Sequence, residues 1–504
     1  MKLNILIGGK AGQGINKTSQ IVSQTLTNHG YFVFNYRDYP SIIRGGHNFN
    51  VLSISDESIE SHESMLDGIV AMDENTIRVH KPELKKDGFI IGYKDFLKFG
   101  INLNIAQTGA LMKILGIEKD TLVGEVEKTL GSKESIDALE VGFSSEKQKY
   151  TLKNIKRKIS VMTGNEAVAQ GAINSKIDLY FAYPMTPTTN ALHELASKQL
   201  ENNYVVFQPE GEISVANMAL GASFAGAKVM IGSSGGGFDL MTEAISFQGM
   251  SEIPLVVYLG SRGGPSTGLP TYTMQNDLDL ALRSGHGEFP RVVIAPGNPI
   301  ETIEKTNEAF YLTQKFNALG IVLLDKHLAE SEFSSDIMPK KPLQIISNRK
   351  IPGKDIVKAN SYEHDENGLT VEDAETTLKN ANNRLKKYEE IKKECKKFDM
   401  IKIHGNKNSK NLIIGWGSTR GAILDAIKGL DFKFLQVIYM KPLSDEIRKE
   451  IQKAKKVILI EQNVTGQLGR LIREKTGIKI EKRILKYDGR PFFSDELRRE
   501  LVKK

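Results

Sequence analysis

Cysteine is almost absent from this chain of 504 residues, because Cys395 is the only one. A single thiol excludes an internal disulfide, a zinc site built from several thiolates and an iron–sulfur cluster ligated by this chain alone. Any redox cluster that the protein uses therefore lies in a partner. Long hydrophobic runs are missing too, since no stretch approaches the ~20 apolar residues needed to cross a bilayer.

The apolar stretch at residues 3–7 is too short for a signal peptide, so a cytoplasmic protein without membrane attachment is expected. The net charge is +7, but the lysines are scattered over predicted helix faces without the arginine and aromatic pattern of a nucleic-acid groove. No nucleic acid is therefore expected as a partner. A hydrophobic content of 40% with 26% charged residues is globular, and the length predicts about three domains.

Residues 1–155 open with a strand, a glycine-rich turn at residues 8–14, a helix from Ile15 and a second strand at residues 31–34. This order predicts the opening of a parallel, doubly wound sheet. The turn has neither the Gly-x-Gly-x-x-Gly register nor the ending of a P-loop. Backbone N–H groups near Gly12 and Gly14 suit a phosphate or carboxylate, and a purely structural tight turn explains them equally well.

Residues 160–338 form a second predicted α/β unit, in which continuous apolar runs indicate strands buried on both faces. The predicted strands are residues 179–182, 205–207, 229–232, 254–259, 292–295 and 320–324. Glycine- or proline-rich turns follow several of these strands and lead into helices. The loops therefore gather at one sheet edge, where such folds bind ligands.

The remaining chain divides into a charged connecting segment, 339–408, and a small third α/β unit, 409–504. Apolar residues recur within the connecting segment at steps of three and four, which predicts an amphipathic helix. They are Val371, Ala374, Leu378, Ala381, Leu385 and Tyr388. We expect this helix to lie across another surface of the protein as scaffold.

Polar residues follow several of the predicted strands in the central unit. The segment Tyr183-Pro184-Met185-Thr186 directly follows one predicted strand, and the loop from Arg262 to Thr271 follows another. An arginine fork suits a carboxylate ligand, although a flexible surface loop is an equal alternative. Glu212 begins an apolar helix. Because a helix N-terminus stabilises negative charge, the residue taken alone is better explained as a carboxylate that stabilises the helix start than as a functional acid. Arg44, in the first unit, is more simply explained as a surface arginine.

Together these motifs resemble the alpha subunit of 2-oxoacid:ferredoxin oxidoreductases. The resemblance rests on residues 183–189, 212–226 and 262–271, and it is strengthened by residues 286–291 and 363–368. Residues 1–155 resemble the family's gamma domain, fused in front. The last unit, with its segments 461–467 and 487–492, resembles a transketolase-C-terminal-like domain.

The family implies a multidomain α/β fold: a gamma domain (1–155), a thiamine-diphosphate pyrimidine-binding domain (160–338), the connecting segment (339–408) and the transketolase-C-terminal-like domain (409–504). It also implies half of a cofactor site, because we find no Gly-Asp-Gly motif for diphosphate and Mg2+. A beta subunit then supplies the Mg2+ half and a 4Fe–4S cluster, and this chain binds no metal of its own. An αβ or α2β2 hetero-oligomer follows, with ferredoxin as electron acceptor.

The resemblance assigns roles to residues at matching positions. Glu212 matches the glutamate that hydrogen-bonds the cofactor's aminopyrimidine ring, which reverses the preference for a helix-terminal role. Thr186 matches the threonine near the reacting carbon, while Arg262 and Thr271 match the pair that holds the 2-oxoacid. Cofactor contacts are also expected at Tyr183 and Pro184. Candidate contacts to coenzyme A are Gly12, Gly14 and Arg44.

The implied activity is oxidative decarboxylation of a 2-oxoacid, with 2-oxoglutarate favoured, to acyl-CoA and CO2 with reduction of ferredoxin. The alternative is a noncatalytic α/β scaffold that binds a nucleotide-like ligand. Glu212 and Arg262 at their matching positions favour the enzyme.

Overall fold

The computed structural model describes residues 1–40, 46–347 and 349–503. Within these residues the strands assemble into three sheets, two of seven strands and one of five, and helices pack on their faces. Strands and helices alternate along most of the chain. This confirms the predicted α/β class.

The first part of the chain contains the glycine-rich turn and most of the first sheet. Its strands are β1 (Lys2–Lys10), β2 (Phe32–Asp38), β3 (His47–Ser55), β4 (Leu66–Ala71) and β5 (Leu84–Ile91), and its helices are α1 (Ile15–Asn28), α2 (Glu74–His80), α3 (Leu103–Leu115), α4 (Lys119–Thr129) and α5 (Lys133–Ser145). Short 3₁₀ helices occupy Lys81–Glu83 and Lys94–Asn102. Helices α1, α3 and α5 share one apolar core with β1 and β2.

The prediction of a parallel sheet is confirmed for β1, β4 and β5, which pair parallel, and is wrong for β3. The strand order is β5-β4-β1-β3-β2, and β3 lies antiparallel between β1 and β2. Only residues 39–46 connect β2 to β3, whereas a parallel crossover needs about a dozen residues or more. The short connection therefore forces β3 to return beside β2.

The central part of the chain alternates strands and helices from residue 160 to residue 335. Its strands are β6 (Ser160–Thr163), β7 (Leu179–Ala182), β8 (Val205–Phe207), β9 (Val229–Ser234), β10 (Leu255–Ser261), β11 (Arg291–Ile294), β12 (Leu319–Asp325) and β13 (Glu332–Ser335). Its helices are α6 (Gly164–Asn174), α7 (Thr189–Asn202), α8 (Glu212–Phe224), α9 (Gly235–Leu240), α10 (Thr242–Ser251), α11 (Leu278–Arg283), α12 (Pro299–Phe316) and α13 (Lys326–Glu330). All six strands predicted here are present.

The second sheet is parallel through β11-β12-β10-β9-β7-β8. One expectation about it is wrong, because β8 is not buried on both faces. Val205 and Phe207 are 52% and 47% exposed, since β8 is the last strand of the sheet and has no neighbour beyond it. The apolar composition of residues 205–207 did not distinguish an edge strand from an inner one.

Two strands of the central part complete the first sheet. β13 pairs antiparallel with β2, and β6 pairs antiparallel with β13. Leu6 and Phe34 from the first part share a core with Val168, Tyr180 and Phe310 from the central part. The sheet and core are thus continuous across the predicted boundary near residue 155, and the domain limits themselves stay a prediction.

The last part of the chain begins with a long helix. Its helices are α14 (Ala374–Cys395), α15 (Thr419–Ile427), α16 (Glu446–Lys453), α17 (Gln467–Thr476) and α18 (Ser494–Val502), and its strands are β14 (Ile401–Gly405), β15 (Asn411–Trp416), β16 (Lys433–Val437), β17 (Tyr439–Lys441), β18 (Lys456–Glu461) and β19 (Lys482–Leu485). Five of the strands form the third sheet, β14-β16-β15-β18-β19, while β17 pairs with β11 of the second. β14 precedes residue 409, so the third sheet starts inside the predicted connecting segment.

The predicted amphipathic helix is present as α14, and it contacts other parts of the chain with its polar side chains rather than with its whole apolar stripe. Asn380 and Arg384 hydrogen-bond Glu363, and Ile391 and Cys395 near the end of the helix are fully buried. Leu378 and Leu385 of the stripe, however, are 64% and 62% exposed. Spacing alone predicts the helix and the stripe, but it does not say which surface covers the stripe.

Candidate active site

The predicted site residues of the central part lie at the carboxyl-terminal edge of the second sheet. β7 ends directly before Tyr183, β9 before Gly235 and β10 before Arg262, and these three strands are parallel neighbours. Ligands bind at this edge in open α/β sheets. Glu212 joins the same edge because it begins α8, the helix that follows β8.

Glu212 is a buried carboxylate at this edge of the sheet. Its side chain belongs to a residue only 6% exposed, and its Oε1 has no hydrogen-bond partner in the described structure. Gly211 is the N-cap of α8, and no side-chain cap bond forms. A helix-capping role therefore does not explain Glu212. A buried polar atom without a partner is costly, which indicates a bound group that completes it.

The glycines that begin α9 let this helix pack closely against Glu212. A Cβ atom on Gly237 would lie 2.1 Å from Ser233 Oγ and 2.6 Å from Glu212 Oε1, so a larger residue at this position would displace both side chains. Ser233 and Ser234 are fully buried, and their hydroxyl oxygens also lack partners in the described structure. Three polar side chains without partners therefore gather at this point of the sheet edge.

Arg262 and Thr186 are in direct contact. Arg262 Nη1 donates to the Thr186 carbonyl over 2.9 Å, and Nη2 lies 3.6 Å from Met185 Sδ. Burial lowers the pKa of the Arg262 guanidinium, while the Asp277 carboxylate opposes that change. The hydroxyl of Thr188 donates to the Met185 carbonyl over 2.9 Å, so it shapes this loop rather than capping α7.

Thr271 lies further along the Arg262 loop. It is 4% exposed, and its hydroxyl oxygen has no partner in the described structure. No hydrogen bond among the described residues joins Thr271 to Arg262 or to Glu212. The loop turns back on itself, because the Leu269 N–H donates to the Gly263 carbonyl over 2.8 Å, while residues 264–269 at its tip are exposed.

Tyr183 and Pro184 are on the outside of the same edge. Tyr183 is 38% exposed and Pro184 is also exposed. The structure therefore places both beside the buried residues but leaves them accessible to a second molecule.

Asp277 is a residue of this site that the sequence analysis missed. Its carboxylate oxygens lie 2.7 and 2.8 Å from the position of a Cβ atom on Gly235. Burial raises the pKa of Asp277 to about 6; the Ser261 hydroxyl and Arg262 work against the increase, and Asp239 adds to it. The signal in the sequence was the polar run Gln275-Asn276-Asp277 directly before an apolar helix.

The carboxyl-terminal part of the chain fixes the segment that carries Asp277. The Gln462 N–H donates to Gln275 Oε1 over 2.9 Å, and the Gln275 N–H donates to the Gln462 carbonyl over 2.8 Å. Asn463 Nδ2 donates to the Gln275 carbonyl over 3.2 Å. The segment 461–467 therefore holds Gln275 in place, and with it the chain that leads to Asp277.

Gly12 and Gly14 line a different cavity, of about 500 Å³, together with Lys17, Asn102 and Asn104. Gly12 and Gly14 have φ angles of +92° and +84°, which favour glycine. α1 and α3 both begin at this cavity without a side-chain cap. Arg44, the third candidate contact to coenzyme A, lies outside the described residues.

The described residues offer neither a clustered metal site nor a membrane span. These residues contain no group of three or more histidine, cysteine, aspartate or glutamate side chains arranged to hold a metal ion. None of the described helices combines the length and apolarity that a membrane span requires.

Family models match two parts of the chain. Residues 170–399 match the model of the thiamine-diphosphate-binding part of pyruvate flavodoxin/ferredoxin oxidoreductase. Residues 4–98 match the model of pyruvate ferredoxin/flavodoxin oxidoreductase. The first match contains the Glu212 and Arg262 site.

Relatives with assigned names extend the similarity over the whole chain. The alpha subunit of a 2-oxoacid:ferredoxin oxidoreductase from a Sulfolobus species is 29% identical over 612 aligned residues, covering 100% of this chain and 97% of that relative. The KorA subunit of 2-oxoglutarate synthase from Methanocaldococcus jannaschii is 31% identical over 336 residues, covering 62% of this chain and 90% of the relative.

A solved structure has the same architecture over its full length. It is the 2-oxoglutarate:ferredoxin oxidoreductase from Magnetococcus marinus with 2-oxoglutarate, coenzyme A and succinyl-CoA bound, with a TM-score of 0.90, 25% identity and 99% coverage of both chains. The chain therefore belongs to the alpha subunits of the 2-oxoacid:ferredoxin oxidoreductases, which are multi-subunit, thiamine-diphosphate-dependent enzymes.

Proposed function

We propose that this chain carries the pyrimidine-binding half of the cofactor site in a coenzyme A-dependent oxidoreductase that acts on 2-oxoglutarate. The observation that carries the proposal is the buried Glu212 carboxylate, whose Oε1 has no hydrogen-bond partner among the described residues, near the buried and equally unpartnered hydroxyls of Ser233 and Ser234. Thiamine diphosphate, when bound, supplies the electron sink for decarboxylation.

Glu212 fits the pyrimidine part of that cofactor by its chemistry. A carboxylate oxygen with a free acceptor position binds a ring nitrogen that carries a proton, and it holds that proton in place. Ser233 and Ser234 offer two further buried hydroxyls for polar ring atoms. We assign the catalytic role to Glu212 and Thr186, and additional cofactor contacts to Tyr183 and Pro184.

Arg262 and Thr271 are the proposed substrate-binding pair. A guanidinium binds a carboxylate through two parallel hydrogen bonds, and the unpartnered Thr271 hydroxyl is free to donate to a carbonyl oxygen. Asp277 keeps negative charge near Arg262. The choice of 2-oxoglutarate rests on the M. jannaschii relative and on the molecules bound in the Magnetococcus structure.

The other half of the cofactor site is assigned to a beta subunit. The single cysteine excludes a 4Fe–4S cluster bound by this chain alone, so we place that cluster and the Mg2+-diphosphate site in the partner. Apolar side chains near the Glu212 edge are available for such a contact, since Ile213, Met218 and Leu240 are 57%, 41% and 55% exposed. Ferredoxin then receives the electrons, and an αβ or α2β2 assembly follows.

Coenzyme A is assigned to the cavity at Gly12 and Gly14. Two uncapped helix starts and Lys17 lie at this cavity, and such N–H groups together with a lysine suit phosphate groups. Arg44 is proposed as a further cation for the same ligand.

The experiment that tests the proposal measures viologen reduction by the complex of this chain with its beta subunit. We expect reduction with 2-oxoglutarate that depends on coenzyme A and yields succinyl-CoA and CO2. Pyruvate in place of 2-oxoglutarate is the matched control for substrate choice. Equal rates with both would contradict the assignment of 2-oxoglutarate, and full rates without coenzyme A would contradict the assignment of the acyl acceptor.

A further inference from the structure

Helix α14 presents an apolar seam that the described part of the chain leaves largely uncovered at Leu378 and Leu385, while Tyr388 at its end is half-buried. The α14 seam consists of Ala374, Leu378, Ala381, Leu385 and Tyr388, which alternate at steps of four and three. This is the spacing of a helix that packs against another helix. Leu378 and Leu385 are 64% and 62% exposed, whereas Ile391 in the second half is fully buried. The helix is therefore firmly anchored while its seam faces solvent.

A cavity of about 590 Å³ adjoins the seam and extends it. Leu385 and Tyr388 line it on one side, and Phe289, Pro290 and Lys441 line it on the other. Phe289 and Pro290 belong to the segment 286–291, which the family resemblance singled out and which the proposed cofactor site does not use. The cavity is also lined by the polar or charged side chains Glu288, Asn382, Arg384 and Lys475. The seam and the cavity together form one groove that is apolar along Ala381, Leu385, Tyr388 and Phe289 and charged at its edges.

The groove has a surplus of positive charge at Lys441. In the part of the chain that the structure describes, Lys441 has no carboxylate partner, and its hydrogen bond to the Leu282 carbonyl is long, at 3.5 Å. Burial and the nearby cations Arg291, Lys475 and Arg283 lower the pKa of Lys441 to about 8, against the influence of Glu474. Glu288 lines the same cavity and Glu474 lies near enough to act on Lys441, but neither forms an ion pair with it among the described residues. A partner's carboxylate placed in the groove would therefore meet an ammonium group that is not yet paired.

Charge also argues against a second copy of this chain as the occupant. α14 contains six lysine or arginine residues against four glutamates, and Lys441 and Lys475 add to that excess. A symmetric contact brings the same patch of two copies together, so two cationic faces would oppose each other. An acidic, apolar partner suits the groove better.

We propose that the groove formed by the α14 seam and the Lys441 cavity receives an apolar helix of the beta subunit, which presents a carboxylate to Lys441. This inference relies on the proposed function only for the existence of that subunit. The cofactor site at Glu212 and the groove at α14 are then two separate areas of one assembly interface.

The test uses the co-expressed complex and measures the dissociation constant of the two subunits by sedimentation velocity. The double substitution Leu378→Glu/Leu385→Glu should raise this constant at least ~100-fold, because two buried anchors become charged. Lys441→Glu should raise it ~10-fold or more, because it removes the counter-ion and adds a like charge. Leu97→Glu is the matched control, since Leu97 is 59% exposed in the first part of the chain and should leave the constant unchanged.

Two further readouts make the outcome decisive. The seam variant should keep the wild-type far-ultraviolet circular dichroism and active-site rate in the co-expressed complex at high protein concentration, because Leu378 and Leu385 are exposed. Lys441→Met, which removes the charge from the partly buried Lys441 but keeps an apolar stem, separates a loss of charge from a loss of packing. Wild-type dissociation constants in both the seam variant and Lys441→Glu would overturn the inference. It would equally be overturned if the seam variant bound the beta subunit normally but lost self-association. Viologen reduction by the wild-type complex tests the proposed function separately, so an inactive but tightly assembled complex would refute that function and leave the groove intact.

Discussion

Glu301 is the carboxylate at which the three parts of the chain are joined electrostatically. It is 2% exposed at the start of α12, and Lys402 Nζ lies 2.8 Å from its Oε1. Arg420 Nε lies 4.0 Å from the same oxygen, and the guanidinium of Arg420 also pairs with Glu60 from the first part. Gln436 Nε2 donates to Glu301 Oε2 over 2.7 Å.

The surroundings of Glu301 indicate how much its negative charge contributes to the free energy of unfolding, and at which pH. Burial raises the pKa of Glu301, but Arg420 and Lys402 outweigh it and bring the pKa to about 2, from an ordinary 4.5. At 1.36 kcal/mol per unit, the ionised form adds about 3 kcal/mol of stability at neutral pH. Because the folded pKa is depressed, this stability is present above pH 4.5 and is lost as the pH falls toward 2.

Glu301→Gln should therefore lower the thermal unfolding temperature at pH 7, and the difference from wild type should narrow below pH 4.5. Glu446→Gln is the control, because Glu446 and Lys449 form a surface pair with side chains 52% and 60% exposed. Such pairs contribute about 0–1 kcal/mol, so the control should unfold close to wild type. An unchanged unfolding temperature for Glu301→Gln, or a difference that does not depend on pH, would refute the reasoning.

Three further outcomes are expected. Gly237→Ala should weaken thiamine diphosphate binding by the complex, because its Cβ would lie 2.1 Å from Ser233 Oγ and 2.6 Å from Glu212 Oε1 and so displace both side chains. Gly236→Ala, whose nearest neighbour is 4.0 Å away, should bind normally; equal binding by the two variants would contradict the assignment of the cofactor to Glu212. Asp277→Asn should raise stability by about 3 kcal/mol at pH 8 and change it little near pH 4, because a pKa raised from 3.8 to about 6 means that the buried anion destabilises the fold increasingly from pH 3.8 to pH 6 and fully above pH 6. Urea unfolding at both pH values checks this, and a destabilised variant at pH 8 would contradict it. Lys17→Ala should raise the KM for coenzyme A without changing the KM for 2-oxoglutarate. An unchanged KM for coenzyme A would contradict the assignment of this ligand to the cavity at Gly12 and Gly14.

The strands of the second sheet and the helices between them were predictable from the sequence. Buried parallel strands are continuous apolar runs, and the turns after them contain glycine or proline. The antiparallel place of β3 was not predicted, since the helix between β1 and β2 suggested a parallel sheet. The deciding factor was the short connection between β2 and β3. Strand β8 has the apolar composition of an inner strand, but it is the last strand of its sheet, and composition alone does not show that position.

The site was predictable only in part, because the surroundings of its residues depend on chain segments that are distant in sequence. Glu212, Thr186 and Arg262 were found through motifs, and Glu212 on its own chemistry was more simply explained as a helix-terminal acid. Its missing hydrogen-bond partner is a property of the packed structure. Asp277 acquires its environment from Gly235 and Ser261, which are distant in sequence. The exposure of the α14 seam was likewise invisible, because periodicity does not identify the covering surface.

The central claim, that Glu212 completes the cofactor site, is tested most directly by the rate of 2-oxoglutarate-dependent viologen reduction in the Glu212→Gln complex. We expect a loss of ~100-fold or more at saturating thiamine diphosphate and coenzyme A. Glu210→Gln should keep the wild-type rate, because Glu210 is exposed two residues earlier in the same loop. A Glu212→Gln complex that retains the wild-type rate would contradict the account.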